Sequence, residues 1–313
     1  MTPPDHHAHD HAHPPGGGHV HAPKTFGKAF ALGVALNLGF VIVEAIFGVI
    51  SNSTALIADA GHNLGDVFGL LVAWVAVGLS GKAPTAQFTW GLRGSSILAA
   101  LFNAMFLLVA VGAIGWEALL RFANPEPVGG GAVIVVATAG IAINGFTAWL
   151  FASGRDADIN IRGAFLHMAA DAAVSAGVVL GAVVILSTGW LWVDPLSSLL
   201  ICVVILWSTW DLLRSSVQMA LGAVPQGVDA AKVRDFLTTR PGVTQIHDLH
   251  IWPISTTETA LSCHLVMTGG HPGDAFLLQT AHALQHDFAI GHATLQIEIS
   301  ADNACALAPA TVV

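Results

Sequence analysis

Charge is scarce in this sequence. Only 10% of its 313 residues are Asp, Glu, Lys or Arg, against about 25% in an average soluble domain, while 54% are hydrophobic. That deficit excludes an ordinary soluble enzyme and a disordered chain, and it predicts a polytopic membrane protein. Cysteine is nearly absent: Cys202, Cys263 and Cys305 are the only three, and none belongs to a C-x-x-C pair. Neither a disulfide framework nor a thiolate zinc knuckle is indicated. Basic residues are outnumbered, leaving a formal net charge of −9, which argues against nucleic-acid binding. What is abundant is histidine, sixteen against eleven Lys plus Arg. Histidine is the commonest metal ligand and titrates near neutral pH, so composition alone suggests metal ions or protons.

Residues 1–23 contain seven of those histidines, His6, His7, His9, His11, His13, His19 and His21, among Asp, Pro and Gly. Nothing there can bury a core, so this is expected to be a disordered tail. It lacks the basic start and small-residue cleavage pattern of a signal peptide. Such a tail could collect or buffer zinc; the bland alternative is weak, unselective affinity without an obligate role. Six apolar runs follow, at about 27–50, 54–79, 94–121, 129–151, 161–187 and 190–213. Each is long enough, at 1.5 Å per residue, to cross a hydrocarbon core of roughly 30 Å as a helix. With the N-terminus inside, Lys24, Lys28, Lys82, Arg93, Arg155, Arg162 and Arg214 fall on the cytoplasmic side and only Arg121 outside. That positive-inside bias puts both termini in the cytoplasm.

Beyond the last run the composition changes. Asp229–Thr239 reads as a helix, Val243–Pro253 and Thr257–Met267 as strands, Asp274–Phe288 as an amphipathic helix and Ala293–Ser300 as a strand. The order α-β-β-α-β predicts a small α+β domain with its helices on one sheet face. The expected organisation is therefore a tail (1–23), a six-helix membrane domain (24–216), a cytoplasmic α+β domain (217–301) and a C-terminal tail (302–313).

The sharpest chemical signal lies inside the apolar runs. The second carries Asp59, His62, Asn63 and Asp66, and the fifth carries His167 and Asp171. Both contain His-x-x-x-Asp, which puts the two side chains on one helix face, a turn apart. Two such helices facing each other would offer two imidazoles and two carboxylates, a set suited to a tetrahedral borderline ion such as Zn²⁺. Ca²⁺ or Mg²⁺ would prefer an all-oxygen set. The bland reading is polar residues bonding helices together, but ionisable groups in a membrane are costly and usually mark a pathway. Metal binding to neutral imidazole and ionised carboxylate releases protons, which supplies a route for coupling.

These stretches resemble the cation diffusion facilitator family, in its zinc, cobalt and cadmium resistance exporter branch. The matching segments are Ala58-Asp59-Ala60-Gly61-His62-Asn63-Leu64-Gly65-Asp66 and Gly163-Ala164-Phe165-Leu166-His167-Met168-Ala169-Ala170-Asp171, with Gly91-Leu92-Arg93, Asp194-Pro195 and His247-Asp248-Leu249-His250-Ile251-Trp252. The resemblance covers about residues 25–300. It implies a dimeric, proton-coupled metal exporter of the inner membrane, with a metallochaperone-like cytoplasmic domain and no organic cofactor. The transport ligands carry over to His62, Asp66, His167 and Asp171. In the family, His rather than Asp at the first of these goes with zinc preference and against cadmium. Asp59 is either a relay for protons or ions, or a carboxylate favoured by the helix dipole.

Family members bind zinc in the cytoplasmic domain with residues matching His247, His264 and Glu298, sometimes adding a His near His292. His250 could equally pack beside Trp252, and His282 and His286, four apart on a helix, form a weaker candidate pair. Two features depart from the family. The loop Ser80–Gly91 contains no His, Asp, Glu or Cys, so no second metal site is expected there. Trp90 and Gly94 replace the usual Tyr and second Arg, which leaves the roles of those positions open. Glu44, Asn37, Asn103 and Asn144 are polar residues in other spans, and the sequence does not choose between a vestibule and a helix–helix bond for Glu44. Cys263 is expected in the core, since strand alternation points it away from His264. Three alternatives remain at this stage. They are an exporter preferring Co²⁺ or Cd²⁺, a metal-binding sensor without flux, and an intramembrane metalloenzyme, for which an H-E-x-x-H motif is lacking.

Overall fold

The computed structural model describes residues 28–152 and 159–300; the His-rich tail and the C-terminal tail lie outside the described residues. Six long helices come first: α1 (Lys28–Ile50), α2 (Thr54–Ser80), α3 (Ser95–Ala123), α4 (Gly130–Ala152), α5 (Ile159–Thr188) and α6 (Val193–Ala220). The helices α2 to α6 are each long and apolar enough to cross a membrane. With 23 residues, α1 reaches about 34 Å at 1.5 Å per residue, also enough. The large side chains left outside, among them Trp116, Trp149, Trp207 and Trp210, are what lipid accepts as solvent.

Inside the bundle, α4 packs along α5 and α3 along α6, while α2 touches α1, α3, α5 and α6 and so occupies the middle. The interior is built from small residues: Ala55, Ala58, Ala137 and Ala182 are buried with Leu56, Val111, Val133, Val178 and Ile205. Small side chains let helix backbones approach closely where no hydrophobic force drives them together. Asp194, at the start of α6, accepts hydrogen bonds from the Ser53 and Thr54 hydroxyls and the Thr54 N–H. It therefore serves as a cap for α2 supplied by another helix, filling an orphan donor that a helix start always leaves.

The sixth helix runs on past the expected end near residue 213, to Ala220. Its last two turns mix polar residues, among them Arg214 and Gln218, with apolar ones, so hydropathy alone ended the span early. The backbone stops only at Gly222, whose φ is +74, a conformation that costs glycine little.

The small domain follows in the expected order: α7 (Ala230–Thr238), β1 (Gln245–Pro253), β2 (Thr259–Val266), α8 (Asp274–Phe288) and β3 (His292–Glu298). The sheet order is β1-β2-β3, with β1 antiparallel and β3 parallel to β2. The β2–β3 crossover is α8, as a parallel pair requires. Val233 and Leu237 of α7, Leu284 of α8 and Ile251, Leu261, Cys263 and Leu265 of the sheet form one core. Cys263 thus lies in the core as alternation predicts, and burial pushes its thiol up to about 12. Asp229 caps α7, accepting from Lys232 N–H and Ala231 N–H.

The domain sits at the end of the bundle to which α6 leads. There Arg93, just before α3, donates to Glu258 of the β1–β2 loop at 2.7 Å. Thr256 N–H donates to Ser96, and the Trp90 ring meets His292 edge to face at 4.6 Å.

Candidate metal centres

The two His-x-x-x-Asp faces meet. His62 Nε2 lies 3.2 Å from Asp171 Oδ1, and His167 Nε2 lies 3.4 Å from Asp66 Oδ2 and 3.6 Å from Asp171 Oδ2. Within α2, His62 Nδ1 and Asp66 Oδ2 are 4.0 Å apart. Ligands at about 2.0–2.1 Å on a tetrahedron are separated by edges of about 3.3 Å, so three of the four distances are close to what one ion needs. His62, Asp66 and Asp171 already offer ligand atoms within 4.8 Å of one another. The rings of His62 and His167 are further apart, at 6.4 Å between centroids, so closing on an ion requires a small inward movement of His167. Asp66 Oδ2 is shielded from solvent and faces both histidine rings, at 3.4 and 4.0 Å.

Exposure is graded along this site. The side chain of Asp171 is 3% exposed, His62 15%, Asp66 33% and His167 42%. The two more open residues are those nearer the small domain, because α2 runs toward that end and α5 runs away from it. Beyond the closed end, Asp59 is fully buried and accepts from Ser175 Oγ at 2.8 Å. Asp59 is thus tied across to α5. Glu44 is also fully buried, accepting from Asn63 at 3.1 Å. The structure places Glu44 inside the bundle, beside the site, and not in a vestibule.

In the small domain, His264 Nδ1 is 2.8 Å and His247 Nε2 is 3.3 Å from Glu298 Oε1. His247 and His264 are directly paired across β1 and β2, and Glu298 ends β3 beside them. The buried His247 faces the Glu298 carboxylate with Nε2 and has no hydrogen-bond partner at Nδ1, which fits a metal ligand better than a packed imidazole. Two histidines and one carboxylate would hold a borderline cation there, and the cation would cross-link all three strands.

The structure does not bring His292 to this group. His292 pairs with Ala260, whereas Glu298 pairs with Val266. The six residue steps from one to the other span about 20 Å of strand, and His292 instead meets Trp90. One residue that the sequence reading missed does arrive. A bulge between His247 and His250 puts Asp248 at φ +52, and its carboxylate lies 3.6 Å from His264 Nε2 and 2.8 Å from His250 Nε2. It can orient His264 from the ring nitrogen opposite Glu298. The signal for it was the H-D-L-H spacing, in which strict alternation would have sent Asp248 to the other face. His282 and His286 stack with centroids 6.4 Å apart, and His286 bonds Asp287 instead.

Comparison with known proteins follows the same two-part division. Residues 30–220 match the model of the cation efflux transmembrane domain, and residues 225–300 that of the cation efflux protein cytoplasmic domain. The chain is 34% identical over 291 residues to the cadmium, cobalt and zinc/H(+)-K(+) antiporter of Bacillus subtilis, covering 91% of this chain and 93% of that one. It is 37% identical to the zinc transporter ZitB of Escherichia coli, covering 86% of each chain. The metal cation efflux system protein CzcD of Cupriavidus metallidurans is 36% identical, with 94% and 90% coverage.

Proposed function

The chain belongs to the cation efflux family, as a multi-pass membrane transporter that exports divalent metal cations and is not an enzyme, and we propose that its cargo is Zn²⁺, exchanged for protons between α2 and α5. The observation that carries this reading is the convergence of His62, Asp66, His167 and Asp171 at distances of 3.2–4.0 Å. Two nitrogens and two oxygens in that arrangement suit Zn²⁺ by ligand type and geometry. Loading requires neutral imidazole and ionised carboxylate, so metal entry expels protons and protonation expels metal. The relatives' names, which include zinc transporters and a zinc/H(+)-K(+) antiporter, agree with that cargo and exchange.

In this reading the protein spans the inner membrane with both termini cytoplasmic, as the distribution of Lys and Arg favours. The graded exposure of the site, widest toward the small domain, supports an inward-open state ready to load from the cytoplasm. Release outside requires the same site to close below and open above. The cytoplasmic domain holds a second zinc ion with His247, His264 and Glu298, steadied by Asp248, and clamps a homodimer. The tail of residues 1–23 is a weak auxiliary collector.

The test is zinc flux into proteoliposomes, with and without an imposed pH gradient, for wild type and Asp66→Ala. Gradient-driven flux that the substitution abolishes is the expected result. Zinc binding without flux under either condition, in correctly folded and oriented protein, would sink the transport reading.

A further inference from the structure

Glu44 on α1 and Asp59 on α2 form a second, separate cluster of charge beside the metal ligands. Both are fully buried, and Asn63, which donates to Glu44, lies one turn from Asp59 on the same face of α2. Asn63 donates to Glu44 Oε2 at 3.1 Å and Ser175 to Asp59 Oδ2 at 2.8 Å. The two remaining oxygens, Glu44 Oε1 and Asp59 Oδ1, are out of solvent and have no donor. Two bare carboxylates side by side in a bundle interior repel each other and lose their hydration, a combination that proteins relieve by protonation.

No Lys or Arg among the described residues acts on either group, and the titratable neighbours of Asp59 besides Glu44 are His62 and Asp171. Helix α4, packed on α1 and α5, has no ionisable residue between Gly130 and Ala152. From α6, Asp194 is engaged with Ser53 and Thr54. From α3, Glu117 and Arg121 are paired with each other at 2.8 Å.

We infer that Glu44 and Asp59 are a proton-binding site, sharing one proton beside the metal ligands, and that loading of the metal site expels that proton. The inference rests on the proposed ligand role of His62, Asp66, His167 and Asp171. Asp59 is three residues before His62, about 4.5 Å along the helix axis. With the metal site empty, the Asp171 carboxylate adds negative charge near Asp59 and favours the protonated pair, while a protonated His62 opposes it. A dication cancels that charge, and the field on the pair turns toward ionisation. The O–H bond then breaks, its electron pair stays on the carboxylate oxygen, and the proton leaves to solvent. Metal release reverses the step, so the pair exchanges one proton per metal ion without ligating the ion.

Infrared difference spectroscopy on the full chain in lipid, with Zn²⁺ itself as the probe, tests this. In the metal-free wild type a protonated-carboxyl carbonyl band, shifted by D₂O, is expected, and it disappears when Zn²⁺ is added at constant pH. Glu44→Gln and Asp59→Asn should each lack the band, and Glu44→Gln should bind Zn²⁺ while releasing about one proton fewer per ion. Three results overturn the inference: no such band in the wild type, a band that persists while Zn²⁺ binds at normal stoichiometry, or a band that K⁺ or Na⁺ removes without Zn²⁺. The last would make the pair a monovalent-cation site. The wild-type measurement stands even if a variant does not fold. Asp171→Ala separates the two readings: it should lose Zn²⁺ at the membrane site and keep the band when Zn²⁺ is added. Undiminished membrane-site binding in that variant would overturn the ligand assignment instead.

Discussion

Thr54, the first residue of α2, gives both its backbone N–H and its hydroxyl to Asp194 Oδ2 of α6, at 2.6 and 2.7 Å. A helix start normally finds its cap in the residue just before it. Here the cap comes from 140 residues away, so the helix bearing His62 and Asp66 is tied to α6 at its far end. Asp194→Ala would leave the Thr54 N–H and two hydroxyls buried without an acceptor. Each such group costs about 1–3 kcal/mol, so the thermal transition of the purified protein should fall by several degrees. Asp194→Asn keeps an acceptor oxygen and should fall less. An unchanged transition in Asp194→Ala would remove the capping role.

Asp171 is the most buried of the four proposed transport ligands and touches both histidines. Asp171→Ala should leave a folded protein whose zinc flux drops by more than the roughly 10–100-fold that losing an outer-shell partner costs. Initial rates in proteoliposomes measure this, and normal flux would discard the site.

Asp248 faces His264 Nε2 at 3.6 Å from a backbone conformation, φ +52, that Asn also tolerates. Asp248→Asn therefore keeps the bulge and removes the charge. Zinc affinity of the cytoplasmic site should weaken by about tenfold or more, read by chelator competition in an Asp171→Ala background that silences the membrane site. Unaltered affinity would mean that Asp248 only shapes the strand.

Asp229 caps α7, and the N–H groups of Lys232 and then Ala231 hold its carboxyl below the usual carboxylate range. Its contribution to stability is present above the unfolded value of about 3.9 and is lost as pH falls through the lower folded value. At neutral pH Asp229→Ala should melt below wild type in the small-domain transition. The gap should close on acidification past the ordinary Asp range. A gap that stays constant would show that the carboxylate charge is not what stabilises the cap.

How legible each feature was depended on the range of the interaction behind it. Helix α8 was readable to the residue, Asp274–Phe288, because its amphipathic pattern begins after Gly273 and ends before Ala289, which turns left-handed at φ +57. The end of α6 was not, because backbone hydrogen bonding continues through polar residues once the helix has left the apolar layer. The position of His292 was misjudged because its distance from Glu298 depends on strand register, and register is set by pairing with β2.

The sequence by itself determined the membrane class, the six spans, the α-β-β-α-β order and the two His-x-x-x-Asp faces. All of these follow from composition or from local periodicity, the 3.6-residue repeat of a helix and the alternation of a strand. Only the tertiary structure decided that α2 and α5 turn those faces toward each other, that Asp194 caps α2, that Asp248 joins His264, and that Glu44 lies against Asn63 beside the site. Each of those contacts joins residues on different elements or depends on a bulge. Packing of small side chains and the need to pair buried polar groups select such contacts, and neither leaves a periodic trace along the chain.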